Sequence, residues 1–258
     1  MNGFAAALSA ETKKAVRSAV MPVTITLAFI IPAMLVFMIF VMKNPELSHK
    51  LGLIGTKAKI MGVADWPAYL NFLSQAVCAL SIVLFGFIGG WAFGREYMDR
   101  TVKDLLALPT PRYVTVLAKT TVVSAWSLVI FGVIFVVSLA GGFAVGLPLW
   151  DPAETFRAFA RMLTAAVAVI YLNTVVYFIA CSTRGYLAAA GFIIFSAALI
   201  NFTGIIGYGE YYPWAVPVLY AVKSGGVQPG IVSWVIVALT GAAGLAGTMA
   251  WWRYADQG

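Results

Sequence analysis

The chain has 258 residues, of which 62% are hydrophobic and 10% are charged, with a formal net charge of +7. Soluble domains carry about 25% charged residues, so this composition excludes an ordinary soluble enzyme or binding domain and indicates an integral membrane protein. The net charge alone could suggest nucleic acid as a partner, but no soluble domain is predicted to bind it. Anionic membrane lipid is therefore the expected electrostatic partner, and nucleic acid is not.

Six long apolar runs dominate the chain, and each is long enough to cross a membrane. About 20 apolar residues span the hydrocarbon core, and a backbone without water must satisfy its own hydrogen bonds, so these runs are expected to be helices. The predicted fold is an all-α integral membrane protein, with residues 1–258 forming one transmembrane domain. The six predicted spans are residues 21–42, 70–94, 116–145, 162–183, 186–207 and 230–252.

The distribution of positive charge predicts the orientation. An even number of spans puts both termini on one side of the membrane. With the termini in the cytoplasm, ten Lys and Arg residues lie inside and seven lie outside. The densest basic clusters flank the first three spans, where the positive-inside effect usually counts most. We therefore expect cytoplasmic N- and C-termini.

Residues 3–19 precede the first span and have a moderately amphipathic pattern. Phe4 and Leu8 share one helical face with two alanines, and charged residues occupy the rest of the surface. Such a helix is expected to lie in the cytoplasmic membrane interface. The alternative is a frayed basic tail that only orients the protein. The charged residues assigned to the polar side are Glu11, Lys13, Lys14 and Arg17.

The densest charge lies between the second and third spans, where residues 95–104 hold six of the chain's 17 basic and 10 acidic residues. Met98, Val102, Leu105 and Leu106 follow the i, i+4, i+7, i+8 pattern of an apolar helical stripe. Two prolines, at 109 and 111, are expected to end this helix. The pattern predicts a short amphipathic helix at the cytoplasmic surface; the alternative is a solvated anchor that only sets the topology.

The connection before the last span, residues 207–230, is unusually apolar for an exposed loop. It contains a tyrosine cluster and a hydrophobic stretch at 215–222, which Pro213 and Pro217 flank and interrupt. An apolar piece of about 10–14 residues is better interpreted as a re-entrant or interfacial segment than as a seventh span. We therefore predict a re-entrant segment before the sixth span.

Motifs for independent chemistry are absent from the sequence. There is no phosphate-binding loop, no G-x-S-x-G, and only one histidine, so neither nucleotide hydrolysis by a phosphate loop nor a histidine-based metal site is expected. Uncharged spans also weigh against an ion-coupled carrier. Asn173 and Asn201 are weak candidates for the substrate path, although polar residues in spans more often bond between helices. Gly241, Gly244 and Gly247 favour close helix packing.

One motif connects the charged segment to a known family. Glu96–x–x–x–Arg100–Thr101–x–Lys103–x–Leu105–Leu106–Ala107–x–Pro109–x–x–Arg112, followed by Lys119, resembles the signature of ABC-2 type permeases. These are membrane subunits of ATP-binding-cassette exporters, and the nearest similarity is to small permeases of peptide-antibiotic export and immunity. The family motif often has Gly before the Thr, where this chain has Arg100. The order of the predicted elements also matches the family.

The resemblance implies a function and partners. Two permease chains, identical or different, would pair with two cytoplasmic ATPase subunits in a bacterial cell membrane. ATP and Mg would bind those subunits, so this chain would hold no cofactor and would not itself be an enzyme. An amphipathic substrate, such as a peptide antibiotic, lipid or drug, would be exported. The alternatives are a secondary ion-coupled carrier and a non-transporting membrane scaffold.

The resemblance also implies an ATPase-docking site between spans two and three. Val102, Leu105 and Leu106 would supply buried contacts, and charged residues would set the orientation. Glu96 could instead pair with a neighbouring cation of the same segment, namely Arg95, Arg100 or Lys103. The full predicted docking set is Arg95, Glu96, Asp99, Arg100, Thr101, Val102, Lys103, Asp104, Leu105, Leu106, Pro109 and Arg112.

Overall fold

The computed structural model describes residues 3–43, 64–102, 111–222 and 228–255. Within these ranges the chain is helical with short turns, and no strand occurs. The helices in chain order are α1 (Gly3–Val16), α2 (Val20–Lys43), α3 (Trp66–Met98), α4 (Arg112–Ala144), α5 (Pro152–Leu172), α6 (Thr174–Ser182), α7 (Leu187–Ile205), a 3₁₀ turn (Gly209–Tyr211), α8 (Ala215–Ala221) and α9 (Ile231–Tyr254).

In the described ranges, six helical stretches are long and apolar enough to cross a membrane, and each overlaps one predicted span. They are α2, α3, α4, α5 together with α6, α7 and α9. Only Asn173 separates α5 from α6. The all-helical, six-span prediction is therefore confirmed.

Two of these helices are much longer than a membrane crossing requires. Both α3 and α4 contain 33 residues, a length of about 50 Å against a hydrocarbon core of about 30 Å. The extra turns include the charged residues Arg95 and Glu96 of α3, and Arg112 of α4. The second span was predicted to end at residue 94, whereas its helix continues to Met98.

The centre of the bundle is formed by α3 and the α5–α6 pair, while α2, α7 and α9 are mostly exposed. Glycine allows the closest helix contacts. A Cβ on Gly244 of α9 would meet the backbone of Thr174 and Val175. The Thr174 hydroxyl also donates a 2.7 Å hydrogen bond to the Gly241 carbonyl. The predicted close packing of the last span through these glycines is confirmed.

The N-terminal residues form a distinct helix, α1, which a turn at residues 17–19 separates from α2. This helix packs against α4, so the frayed-tail alternative is wrong. Its position at a membrane surface stays a prediction. We call the end of the bundle that holds α1, the last turn of α3 and the start of α4 the α1 end.

The segment before the last span also has structure of its own. A 3₁₀ turn at Gly209–Tyr211 leads into the seven-residue helix α8. Ala221, at the end of α8, packs with Cys78 of α3 and Ala165 of α5. The helix α8 is therefore packed on the bundle, and re-entry of this connection into the membrane stays a prediction.

Candidate functional site

The docking segment begins with a sharp change of direction after α3. The Arg100 N–H donates to the Tyr97 carbonyl at 3.3 Å, and the Thr101 N–H donates to the Glu96 carbonyl at 3.0 Å. This pair of bonds defines a Schellman cap, whose turning residue is left-handed and usually glycine. Arg100 occupies that position with φ of 57°. The glycine that the family motif often carries here therefore has a conformational reason.

The turn at Arg100 interrupts the helix that was predicted to run without a break through residues 95–109. Met98 is the last residue of α3 and is 58% exposed, whereas Val102 lies beyond the turn and is buried. The prediction that Met98 and Val102 belong to one helical stripe is therefore wrong. Their spacing fits a helix, but Arg100 interrupts it.

The other predicted docking residues have different environments. Asp99, Arg100, Thr101 and Arg112 are exposed. Arg112 also donates from Nη1 to the carbonyl groups of Trp252, at 3.1 Å, and Arg253, at 3.3 Å. It thereby places the end of α9 at the α1 end of the bundle. The predicted docking residues that lie outside the described ranges are Lys103, Asp104, Leu105, Leu106 and Pro109.

Glu96 belongs to a buried network of four charged side chains. Lys119 Nζ lies 2.6 Å from Glu96 Oε1 and 2.8 Å from Glu11 Oε2. Lys14 Nζ lies 2.8 Å from Glu11 Oε1 and 3.1 Å from Glu96 Oε1. Each ammonium therefore contacts both carboxylates, and the two charges of each sign balance. We call these four residues the ion network; they join α1, α3 and α4.

The burial of this network makes it important for the stability of the fold. The side chains of Glu96 and Lys119 are each 2% exposed, so water cannot screen them. Breaking a buried ion pair by removing one partner typically destabilises a protein by about 3–5 kcal/mol, because an uncompensated charge is left behind. Lys119 Nζ also lies 3.4 Å from the Ala92 carbonyl, a further contact with α3. The network therefore fixes the position of α1 relative to the two long spans.

The α1 members of the network stay charged at neutral pH. Burial alone would raise the pKa of Glu11, but the Lys119 and Lys14 ammonium groups outweigh it and lower that pKa. Burial alone would lower the pKa of Lys14, but the Glu96 and Glu11 carboxylates outweigh it and raise that pKa. Each group is thus held in its ionised form by its partners.

The sequence predicted parts of this site and missed its pairing. Glu11 was placed on the polar side of α1, yet it is 8% exposed. The cation expected to pair with Glu96 lay within its own segment, whereas the structure pairs Glu96 with Lys14 of α1 and Lys119 of α4. The sequence did contain a signal for this pairing. Lys119 is a lone charge near the start of an apolar run, and it lies at the same end of an antiparallel helix pair as Glu96.

The two candidate substrate-path residues are not equivalent. Asn173 is 1% exposed, and its side-chain oxygen and nitrogen have no hydrogen-bond partner among the described residues. A Cβ on Gly86 of α3 would lie 3.4 Å from Asn173 Oδ1. Asn201 is exposed on α7, where its Nδ2 donates to the Ala197 carbonyl of the same helix at 3.2 Å. Only Asn173 is therefore inside the bundle.

The described ranges contain no cluster of three His, Cys, Asp or Glu side chains that could hold a metal ion. The features that distinguish this chain are six apolar spans and a charged junction at the end of the second. Together they define a multi-pass membrane protein in which, among the described residues, the most deeply buried ion pairs lie at one end of the bundle.

Comparison with known proteins gives the family. The family described as ABC-2 family transporter protein matches residues 7–199, which include the whole ion network. The chain belongs to this family, and the resemblance found in the motif is confirmed. It is a membrane subunit of an ATP-binding-cassette transporter, a transport component and not an enzyme. Family membership implies association with an ATP-binding-cassette ATPase.

A relative is the bacitracin transport permease protein BCRB of Bacillus licheniformis. The two sequences are 24% identical over 187 residues, which cover 70% of this chain and 87% of that protein.

Proposed function

We propose that this chain is the permease subunit of an exporter that uses ATP hydrolysed by a separate cytoplasmic subunit. The observation that supports this proposal best is the position of the ion network. Glu96 and Lys119 close the base of the α3–α4 connection, and that connection carries the family motif. A force applied to the connection would therefore reach α1, α3 and α4 together.

The proposed docking site is the one that the family motif implies. Leu105 and Leu106 supply apolar contacts to the ATPase, and the exposed Asp99 and Arg100 set its orientation at the edge of the contact. Buried apolar anchors with a charged rim are typical of such interfaces. Glu96 is buried, so we assign it a positioning role in place of direct contact.

The proposed assembly contains two permease chains and two ATPase subunits, which bind ATP and Mg. The α1 end faces the cytoplasm of a bacterial cell, in agreement with the positive-inside prediction. Exposed apolar surface on α2 and α7 would be covered by lipid or by the second permease chain. The second permease chain is either a copy of this chain, which gives a homodimer, or a different permease, which gives a heterodimer.

The proposed substrate is amphipathic: a peptide antibiotic, a lipid or a drug. The name of the relative refers to bacitracin transport, so bacitracin is the first substrate to test. Asn173 is the better of the two candidate residues for the substrate path, because its polar atoms are buried and unpaired among the described residues, whereas Asn201 is exposed and bonds within its own helix.

The proposal is tested by co-purification of the permease with its ATPase. Leu105→Asp places a charge in the proposed apolar contact. We expect this variant to insert normally, to lose the ATPase and to lose transport. Tyr254→Asp is the matched control, because Tyr254 is 75% exposed at the same end of the bundle and lies outside the motif. A complex that survives Leu105→Asp would show that this segment does not dock the ATPase.

A further inference from the structure

A cavity lies at the end of the bundle opposite the α1 end, between α3, α5 and α8. The Trp66 N–H donates to the Pro148 carbonyl at 3.2 Å, so the start of α3 lies beside the connection that leads into α5. The cavity has a volume of about 490 Å³, which is within the range of about 300–1,000 Å³ that is typical of small-molecule sites. It is therefore large enough for a ligand, and it is separate from the ion network.

The inner side of this cavity is closed by tight packing. Ala221 of α8 lines the cavity and packs with Cys78 of α3 and Ala165 of α5. These two residues lie about one helical turn beyond the lining residues Ser74 and Arg161, in the direction of the α1 end. All three members of the packed cluster are at most 2% exposed. The cavity is therefore closed towards the centre of the bundle.

The polar wall of the cavity offers an unused hydrogen-bond donor. Arg161 Nη2 lies 3.3 Å from Glu154 Oε1, and Arg157 Nη1 lies 3.2 Å from Glu154 Oε2, so two guanidinium groups share one carboxylate. The Nε atom of Arg161 is buried and has no hydrogen-bond partner among the described residues. A buried donor without an acceptor is unfavourable, and a guanidinium forms strong, charge-assisted hydrogen bonds to an oxyanion. Arg161 is therefore suited to a ligand that carries an oxyanion.

The other lining residues select the chemical group to which the oxyanion is attached. The Ser74 hydroxyl donates to the Leu70 carbonyl of the same helix at 2.7 Å, which leaves its oxygen able to accept an N–H of the ligand. Asn71 adds a side-chain amide, and Pro67, Leu70 and Ala221 supply apolar surface. An oxyanion, an N–H and an apolar group occur together in the C-terminal residue of an apolar peptide, whereas inorganic phosphate offers only the oxyanion.

We propose that this cavity binds the C-terminal residue of an apolar peptide. The peptide carboxylate accepts a hydrogen bond from Arg161 Nε, the peptide N–H donates to Ser74 Oγ, and the apolar side chain lies against Leu70 and Ala221. This inference goes beyond the proposed transport function, because it assigns a ligand site at a different place from Asn173 and from the ATPase-docking segment. Binding at this site requires neither ATP nor the ATPase.

The experiment uses the purified full-length permease in detergent without ATPase, so its result is independent of the proposed export function. Calorimetric titration measures the binding of acetyl-leucyl-leucine and of its C-terminal amide, with a titration into protein-free detergent subtracted. We expect the acid to bind at least about tenfold more tightly than the amide, because a hydrogen bond to a charged group is stronger than one to a neutral group. Arg161→Gln should remove this preference for the acid. Arg157→Gln is the matched control and should keep it, because Arg157 pairs with the same carboxylate but does not line the cavity.

A second variant tests the cavity with every charge unchanged. Ser74→Leu fills the space beside Arg161 and should weaken the binding of acid and amide alike, and thermal unfolding without peptide checks that each variant is folded. Equal affinities of the parent for acid and amide would overturn the proposal, and that comparison needs no substitution. An unchanged preference in Arg161→Gln would also overturn it. Displacement of the peptide by inorganic phosphate at equal concentration would overturn it in favour of a free anion.

Discussion

Lys119 of α4 donates a 2.6 Å hydrogen bond to Glu96 near the end of α3, and both side chains are almost completely buried. The pair closes the base of the connection between these two antiparallel spans. Because the connection carries the motif of the ABC-2 family, the buried pair lies between the predicted ATPase contact and the rest of the two helices. It is thus placed to make the connection move as one body with the spans.

Removing both members of this pair is expected to destabilise the permease by less than the two single losses added together. Glu96→Gln leaves one excess positive charge in the ion network, and Lys119→Met leaves one excess negative charge. Each single change should destabilise the permease by about 3–5 kcal/mol. The double variant retains the neutral Glu11–Lys14 pair, so its loss should be smaller than the sum of the single losses. Thermal unfolding in detergent measures all three.

The control for this cycle is an exposed ion pair elsewhere in the chain. Arg157 is 62% exposed and lies 3.2 Å from Glu154. Arg157→Gln should change stability by less than about 1 kcal/mol, because solvent screens such pairs. Additive losses in the Glu96 and Lys119 double variant would contradict the network.

The left-handed turn predicts a stabilising substitution. A left-handed backbone costs an L-residue about 1–2 kcal/mol, and glycine avoids that cost. Arg100→Gly should therefore raise the midpoint of thermal unfolding, and Arg100→Val should lower it. Arg184 has φ of 54° in a second cap of the same type, so Arg184→Gly should behave alike. As a control, Arg157→Gly within α5 should lower the midpoint.

An unfolding midpoint of Arg100→Gly no higher than that of the parent would mean that the Arg100 side chain contributes more than its backbone strain removes. The comparison with Arg184→Gly would then show whether this contribution is particular to the docking connection.

The spans could be predicted from the sequence, because twenty uninterrupted apolar residues have few alternatives in a membrane. The helix ends could not be predicted in this way. The helix α3 continues beyond its apolar run, because its end is set by the backbone cap at Arg100 and not by the first polar residues. The burial of Glu11 was also missed. A helical projection of α1 alone places Glu11 on the solvent side. Glu11 is buried because it pairs with Lys119, which lies 108 positions away in the chain and is absent from that projection.

The packing of the last span is tested at its glycines. Gly244→Ala should destabilise the permease by about 1–3 kcal/mol, because the added Cβ would meet the rigid backbone of Thr174 and Val175. Gly191→Ala is the matched control: it lies in α7, and its added Cβ would meet no atom within 4 Å. Gly191→Ala should be neutral or slightly stabilising. Equal losses from the two substitutions would reflect a general effect of glycine replacement and contradict the close contact.

The anchoring of α1 should depend on pH at both extremes. The pKa of Glu11 is lowered from its usual 4.5, so its contribution is present above about pH 4.5 and is lost as the pH falls through the folded-state pKa. The pKa of Lys14 is raised from its usual 10.5, so its contribution is complete below that value and is lost as the pH rises through the folded-state pKa.

Hydrogen exchange of the α1 amides, corrected for intrinsic exchange at each pH, measures this anchoring. Protection should be constant from about pH 5 to pH 10 and should fall on either side. Glu11→Gln should lower protection at neutral pH and reduce the change on acidification, because the substituted side chain no longer titrates. Glu154→Gln, far from α1, should leave the profile of the parent unchanged. If Glu11→Gln kept the full acid-dependent loss, that loss would have to come from another carboxylate, and Glu11 would not be the group that anchors α1.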